Sequence, residues 1–146
     1  MGNVIVKKFD ELDIHDLYKI METRVAVFVV EQKCPYPEID GQDEDAIHLY
    51  IKKDDSILAY LRILNKGDKT VHIGRVLTTE RGAGLGREIL RAGIETSWKE
   101  MKAEKIYLEA QVYAKGFYER EGFQVSGEEF LEDDIPHVPM ILERSK

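Results

Sequence analysis

Apolar positions change their period along the chain, and the changes divide it into elements. Val4, Ile5 and Val6 open with a strand-like run. Leu17, Ile20, Met21, Val25 and Phe28 then recur at helical spacing behind Asp13 or Asp16, either of which suits an N-cap. Arg24 interrupts that stripe with a cation. Residues 47–53 and 57–64 read as strands joined by Asp54, Asp55 and Ser56, and Lys66-Gly67-Asp68 forms a second hairpin turn into residues 71–77. The first four strands therefore predict an antiparallel meander. Residues 85–101 return to helical spacing, with Leu85, Ile89, Gly93, Ile94, Ser97, Trp98 and Met101 along one core-facing stripe, where Gly93 permits close packing on a sheet. A strand at 106–112, a short helix within 114–123 closed by Gly122, and two more strands complete the pattern.

This order predicts an α/β (α+β) fold with a mixed central sheet and helices on both faces. Composition fits one domain over residues 1–146, since 43% apolar residues suffice for a single core. No repeat or linker divides the chain. No apolar run approaches the roughly 18 residues of a membrane span, and residues 1–10 lack the apolar core of a signal peptide, so a cytoplasmic protein is expected. The 21 Lys and Arg against 28 Asp and Glu leave a net charge of −7, which disfavours nucleic acid and anionic membrane and favours a basic partner. Cys34, the single cysteine, excludes an internal disulfide. Close ligands at helical spacing are missing, so no metal is expected.

The chemistry concentrates at Arg81-Gly82-Ala83-Gly84-Leu85-Gly86-Arg87, between a predicted strand and a predicted helix. Small residues there let the backbone approach an anion, and the first N–H groups of the helix point out unpaired. The same glycines would also serve a plain strand-to-helix turn. A dinucleotide site needs a third glycine where Arg87 stands, and a nucleotide P-loop needs Gly-Lys-Ser/Thr, which the chain lacks.

What remains, Arg81-x-x-Gly84-x-Gly86, resembles the pyrophosphate-binding signature of the GNAT superfamily of acyl-coenzyme A dependent N-acetyltransferases. Phe117-Tyr118 on a helix ending at Gly122-Phe123 is similar to that family's second signature. The block from Arg24 through Glu31, Cys34, Pro35 and Tyr36 to Glu38, Asp40, Asp43 and His48, with the later Ile135-Pro136-His137-Val138-Pro139-Met140, resembles the ElaA-like branch. The resemblance implies that the fourth and fifth strands run parallel and splay apart, with the pantetheine arm of acetyl-CoA in the gap. It implies that the backbone of Val76, Leu77 and Thr78 meets pantetheine and thioester, that Arg81, Gly82, Ala83, Gly84, Leu85, Gly86 and Arg87 hold the pyrophosphate, and that Phe117 flanks the cofactor.

Acetyl transfer to an amine makes three demands. An alkylamine near pKa 10.4 must lose a proton to a base, the oxyanion needs a donor, and the departing thiolate needs a proton. A backbone N–H near residues 76–78 suits the second demand. The family resemblance assigns the third to Tyr118, whose phenol donates at neutral pH. For the base the candidates are Glu31, His48 and His137, with Glu109 acting through water or pairing with Arg75. Arg24, in its apolar stripe, is expected to pair with Glu31 or Asp40. The acidic positions Glu38, Asp40, Asp43, Glu44 and Asp45 read as a solvated loop or as a recruiting surface for a polyamine or basic peptide. The sequence thus predicts acetyl transfer from acetyl-CoA to a primary amine on a small molecule or peptide, by direct attack in a ternary complex. A non-catalytic acyl-CoA binding or sensor protein is the alternative, and a homodimer through a sheet edge stays open.

Overall fold

The computed structural model describes residues 4–80 and 83–145. Arg81 and Gly82 of the glycine-rich turn lie outside the described residues. The first half forms antiparallel strands, β1 (Ile5–Lys8), β2 (Ile47–Lys53), β3 (Ser56–Gly67) and β4 (Thr70–Thr78), each paired with the next, with burial alternating along β1 and β4 and continuous through the middle of β2 and β3. The turns close with residues that tolerate a left-handed backbone, Asp54 at φ 55° and the Gly67-Asp68-Lys69 run at φ 84°, 52° and 59°. Then β5 (Lys105–Gln111) joins β4 in parallel, and β8 (Ile135–Glu143) lies antiparallel along all of β5. Two short strands, β6 (Gln124–Val125) and β7 (Phe130–Glu132), pair with β8, so three strands follow the last helix where the sequence pattern predicts two. Their brevity hides them from a periodicity argument.

Successive residues of β2 and β3 face opposite sides, and both sides are covered. On one, α2 (Leu85–Lys99) buries Ile89 and Leu90 against Leu49, Leu61, Ile63, Val71 and Ile73. On the other, α1 (Ile14–Arg24), capped by the Asp13 carboxylate accepting from the His15 and Asp16 N–H groups, sets Ile20 against Tyr50, Ile57, Tyr60 and Leu77. The third helix, α3 (Lys115–Glu119), carries Phe117 and Tyr118 against the end of β5.

The stripe starting at Leu17 does not stay α-helical. After Arg24 the chain winds as a π-helix over Val25–Glu31, leaving Val25 exposed and turning Val27 and Phe28 inward. Such wide turns are rare and are frequent at functional sites. Here they form one wall of the cleft described below.

Gly93 behaves as its position predicts. A Cβ there would lie 3.0 Å and 3.2 Å from the two Leu61 methyl carbons. Gly93→Val should therefore overpack the α2–sheet contact and lower stability by about 1–3 kcal/mol, read from urea denaturation midpoints at constant slope. An unchanged midpoint would show that the helix can back away from β3 without cost.

Candidate active site

The parallel pairing of β4 with β5 is brief. It holds Thr70, Val71 and His72 against Lys105, Ile106 and Tyr107, and beyond that the two strands share no ladder pairs. The cause is visible in β4. Tyr60 pairs with Leu77 and Arg62 with Gly74, so one extra residue sits on β4, and Arg75 adopts φ 56°. For a non-glycine residue that conformation costs about 1–3 kcal/mol unless neighbours hold it. A cleft of about 1310 Å³ opens in the gap. Its walls come from α1 and the π-helical turns, β4, the ends of β5 and β8, and α3.

What holds Arg75 is a buried ionic network. Glu38 Oε2 accepts from Arg75 Nε at 2.8 Å and from Arg24 Nε at 2.7 Å, joining the end of α1 to the bulge of β4. Arg24 Nη1 also donates to Asp43 at 2.7 Å. Arg62 grips Asp40 with both terminal nitrogens, at 3.0 Å and 2.6 Å, and reaches Asp43 at 3.1 Å. The Tyr36 hydroxyl donates to Glu38, and its ring faces the Arg75 guanidinium at 5.5 Å. Among the described residues, Asp43 Oδ2 and Arg62 Nε are buried without a hydrogen-bond partner. Arg24 has no exposed surface, and removing one member of so buried an ion pair typically costs about 3–5 kcal/mol.

Three sequence expectations are corrected here. Arg24 pairs with Glu38 and Asp43, not with Glu31 or Asp40, because the loop before β2 brings those two carboxylates to its guanidinium. For the same reason Glu38, Asp40 and Asp43 do not form a solvated recruiting surface, since guanidinium groups occupy them. Glu109 likewise pairs with the Tyr107 hydroxyl at 2.9 Å and not with Arg75.

The candidate catalytic residues fall in two places. Tyr118, Glu31 and His137 line the cleft. His48 lies outside its lining and has no exposed surface: Nδ1 sits 2.6 Å from the Tyr60 hydroxyl and Nε2 2.8 Å from the Asp43 carbonyl. Burial lowers its pKa, so the ring stays neutral within the network. The Tyr118 hydroxyl has no hydrogen-bond partner among the described residues, and burial raises its pKa, keeping the proton on oxygen. The 2.7 Å approach of His137 Nδ1 to the Ile135 carbonyl makes that nitrogen the N–H donor in the neutral ring, which leaves the lone pair on Nε2. Glu31 is exposed on the opposite wall, at the end of the π-helix.

Of the residues expected to hold the cofactor, Val76, Leu77, Thr78, Gly86 and Phe117 line the cleft. Gly84 is the N-cap of α2 at φ 72° and has no side chain to cap the helix, so among the described residues the first N–H groups are left for an anion. Gly86 packs under the Phe117 ring, where a Cβ would already touch at 3.4 Å. Ala83 is exposed, Leu85 half-buried, and Arg87 exposed with its Nε 3.5 Å from Glu121. Sequence reasoning missed Arg62, Tyr36 and Glu132. Arg62 carried a signal, a cation inside the apolar run 57–64; Tyr36 stood in the ElaA-like block with no role attached, and Glu132 carried no signal.

A sequence model of the acetyltransferase (GNAT) domain family matches residues 16–144. The UPF0039 protein of Schizosaccharomyces pombe is 41% identical over 143 residues, covering 95% of each chain. The crystal structure of Escherichia coli ElaA superimposes with a TM-score of 0.90 at 39% identity, covering 96% of this chain and 99% of that one. A Pseudomonas aeruginosa structure described as an acyl-CoA N-acyltransferase gives 0.88 at 38% identity, covering 94% and 97%.

The network also sets an acid limit on stability. Burial raises the pKa values of Asp40 and Asp43, but hydrogen bonds from Arg62 and Arg24 outweigh it and leave both below the ordinary carboxylate value. Their folded pKa values are depressed, so their stabilisation is complete above the unfolded value of about 3.9 and is lost as pH falls through the folded values. Asp40→Asn should lower stability at pH 7 and flatten its decline between about pH 5 and 2, measured by urea denaturation at several pH values. Parallel pH dependences for both proteins would contradict the role of Asp40.

Proposed function

The chain belongs to the GNAT acetyltransferase family, and from that premise we propose that it moves an acetyl group from acetyl-CoA to a primary amine by direct attack in a ternary complex. Residues 1–146 act as one catalytic domain in this reading. The parting of β4 from β5 over a cleft lined by both Tyr118 and His137 is the observation that supports it best.

The residues present fit acetyl-CoA. Backbone N–H and C=O groups of Val76, Leu77 and Thr78, with no partner strand on the β5 side, suit the amide-rich pantetheine arm. The start of α2, with Gly84, Leu85, Gly86 and Arg87 and with Ala83 before it, suits the pyrophosphate, and Arg81 and Gly82 are assigned to the same role on the family signature alone. Phe117 closes over Gly86 beside it. When bound, the thioester supplies an activated acetyl carbon.

The chain's residues supply the rest. His137 Nε2 takes a proton from the acceptor ammonium, freeing the nitrogen lone pair. As the C–N bond forms, a backbone N–H of residues 76–78 stabilises the oxyanion. The second proton on nitrogen leaves with the solvent, the C–S bond breaks, and Tyr118 gives its proton to the sulfur, later recovering one from water. The products are an N-acetylamine and the free thiol. His137 suits the base better than Glu31 because its largely buried ring lines the cleft with the Nε2 lone pair unbonded, whereas Glu31 is solvated. His48 serves the network and takes no proton.

The test is thiol release from acetyl-CoA over a panel of alkylamines. Tyr118→Phe should lower kcat by about 10- to 100-fold while the acetyl-CoA Kd changes by no more than about twofold. Unchanged turnover would remove Tyr118 from the chemistry. Acetyl-CoA binding without turnover on any amine would favour a non-catalytic acyl-CoA binding protein.

A further inference from the structure

The strands beyond the splay carry acidic side chains that the network does not use. Glu109 stands opposite Pro139, and Gln111 opposite His137, across the β5–β8 ladder. On the other edge of β8, Phe130 stands opposite His137 and Glu132 opposite Ile135. Side chains directly opposite one another, and those two positions along, share a sheet face. Glu109, His137 and Glu132 therefore project from one face, and all three line the cleft.

Neither carboxylate forms a salt bridge with Lys or Arg among the described residues. Glu109 accepts only the Tyr107 hydroxyl, and Glu132 lies 3.8 Å from His137 Nε2. Arg75, the cation that reaches Glu132 electrostatically, offsets its charge only in part. Arg75 is held by Glu38 and Asp40, and Lys66 is exposed at the end of β3. Asp133, in the adjacent turn, adds a further negative charge. Burial and then the nearby Glu109 charge raise the Glu132 pKa, as expected for two carboxylates facing one space.

A second observation points the same way. His137 is only 8% exposed and stacks on Phe130 at 5.8 Å, and its Nε2 has no hydrogen-bond partner among the described residues. The ring is held on a cleft wall with one nitrogen still accessible and unpaired, and a ligand N–H that reaches it gains a hydrogen bond in a partly desolvated place.

We propose that Glu109, Glu132 and His137 form the acceptor subsite, and that it selects dicationic alkylamines: one ammonium group faces Nε2 and reacts, and a second, distal cation is held by the carboxylates. This rests on the acetyltransferase reading for which end of the cleft receives the acceptor. A distal carboxylate on the acceptor would meet Glu109, Glu132 and Asp133 and be repelled. The fold thus keeps its arginines locked to Glu38, Asp40 and Asp43 and leaves the acceptor end negative.

Three amines of equal chain length separate the charge effect from packing: 1,5-diaminopentane, 1-aminopentane and 5-aminopentanoate. Binding to the intact protein saturated with coenzyme A is read by calorimetry, which needs no turnover. The diamine should bind at least about fivefold more tightly than the monoamine, and 5-aminopentanoate more weakly than either. Glu109→Gln and Glu132→Gln, singly and together, should shrink the diamine preference towards one, with folding checked by circular dichroism. If a variant does not fold, the wild-type series decides. Equal affinities for the three amines, no diamine binding, or a preference that survives in the folded double variant would overturn the proposal. Thiol release is measured separately: diamine binding without release would sink the acetyltransferase reading and leave the cation site standing.

Discussion

The Glu38 carboxylate, shared between Arg24 and Arg75, is the contact on which the cleft depends. Arg24 ends α1 and Arg75 sits at the bulge of β4, so one side chain ties a helix to the place where two parallel strands separate. Arg75 has a backbone conformation that β-strands avoid, and a regular β4 would go on pairing with β5. The strain of the bulge is held by a guanidinium–carboxylate contact whose carboxylate, Glu38, is already buried, so relaxing it would weaken the pairing of a charge in the interior. From this follow the gap, the unpaired strand edge, and the volume in which two substrates can meet.

The distribution of charge follows the same division. Arg24, Arg62 and Arg75 carry three positive charges against Glu38, Asp40 and Asp43, so the network is formally neutral and exerts little field of its own. His48 and Tyr60 complete its hydrogen bonds. What remains at the cleft is unequal at its two ends. The end near α2 offers uncapped backbone N–H groups for an anion, and the end near β7 offers Glu109 and Glu132. A phosphate-bearing donor and a cationic acceptor would be drawn to opposite ends of one cleft, which favours a ternary complex over competition for a single site.

The strand meander, the long helix and the glycine turn were legible because each rests on local rules: apolar runs bounded by turn residues for β2 and β3, a 3.6-residue stripe for α2, and backbone permissiveness at Gly84. Gly93 was legible for the same reason, as a small residue on a core stripe. The network was not, since Arg24, Glu38, Asp43 and Arg75 come from segments with no periodic relation to one another. Arg24 announced that it needed an anion without saying which. The π-helix of Val25–Glu31 escaped too, because its residues suit an α-helix and only the packing of Val27 and Phe28 reveals the wider turn. His48 illustrates the converse: as a residue type it suits catalysis, but its burial and its two occupied nitrogens make it a strut.

Amide hydrogen exchange with saturating acetyl-CoA, followed residue by residue and compared with ATP, tests most directly whether the parted strands are the acyl-CoA seat. The account predicts that amides of residues 76–78 on β4 and of residues 84–87 at the start of α2 gain protection with acetyl-CoA but not with ATP, while β1 and β2 stay unchanged. Protection confined to other elements, or the same pattern with both nucleotides, would contradict it.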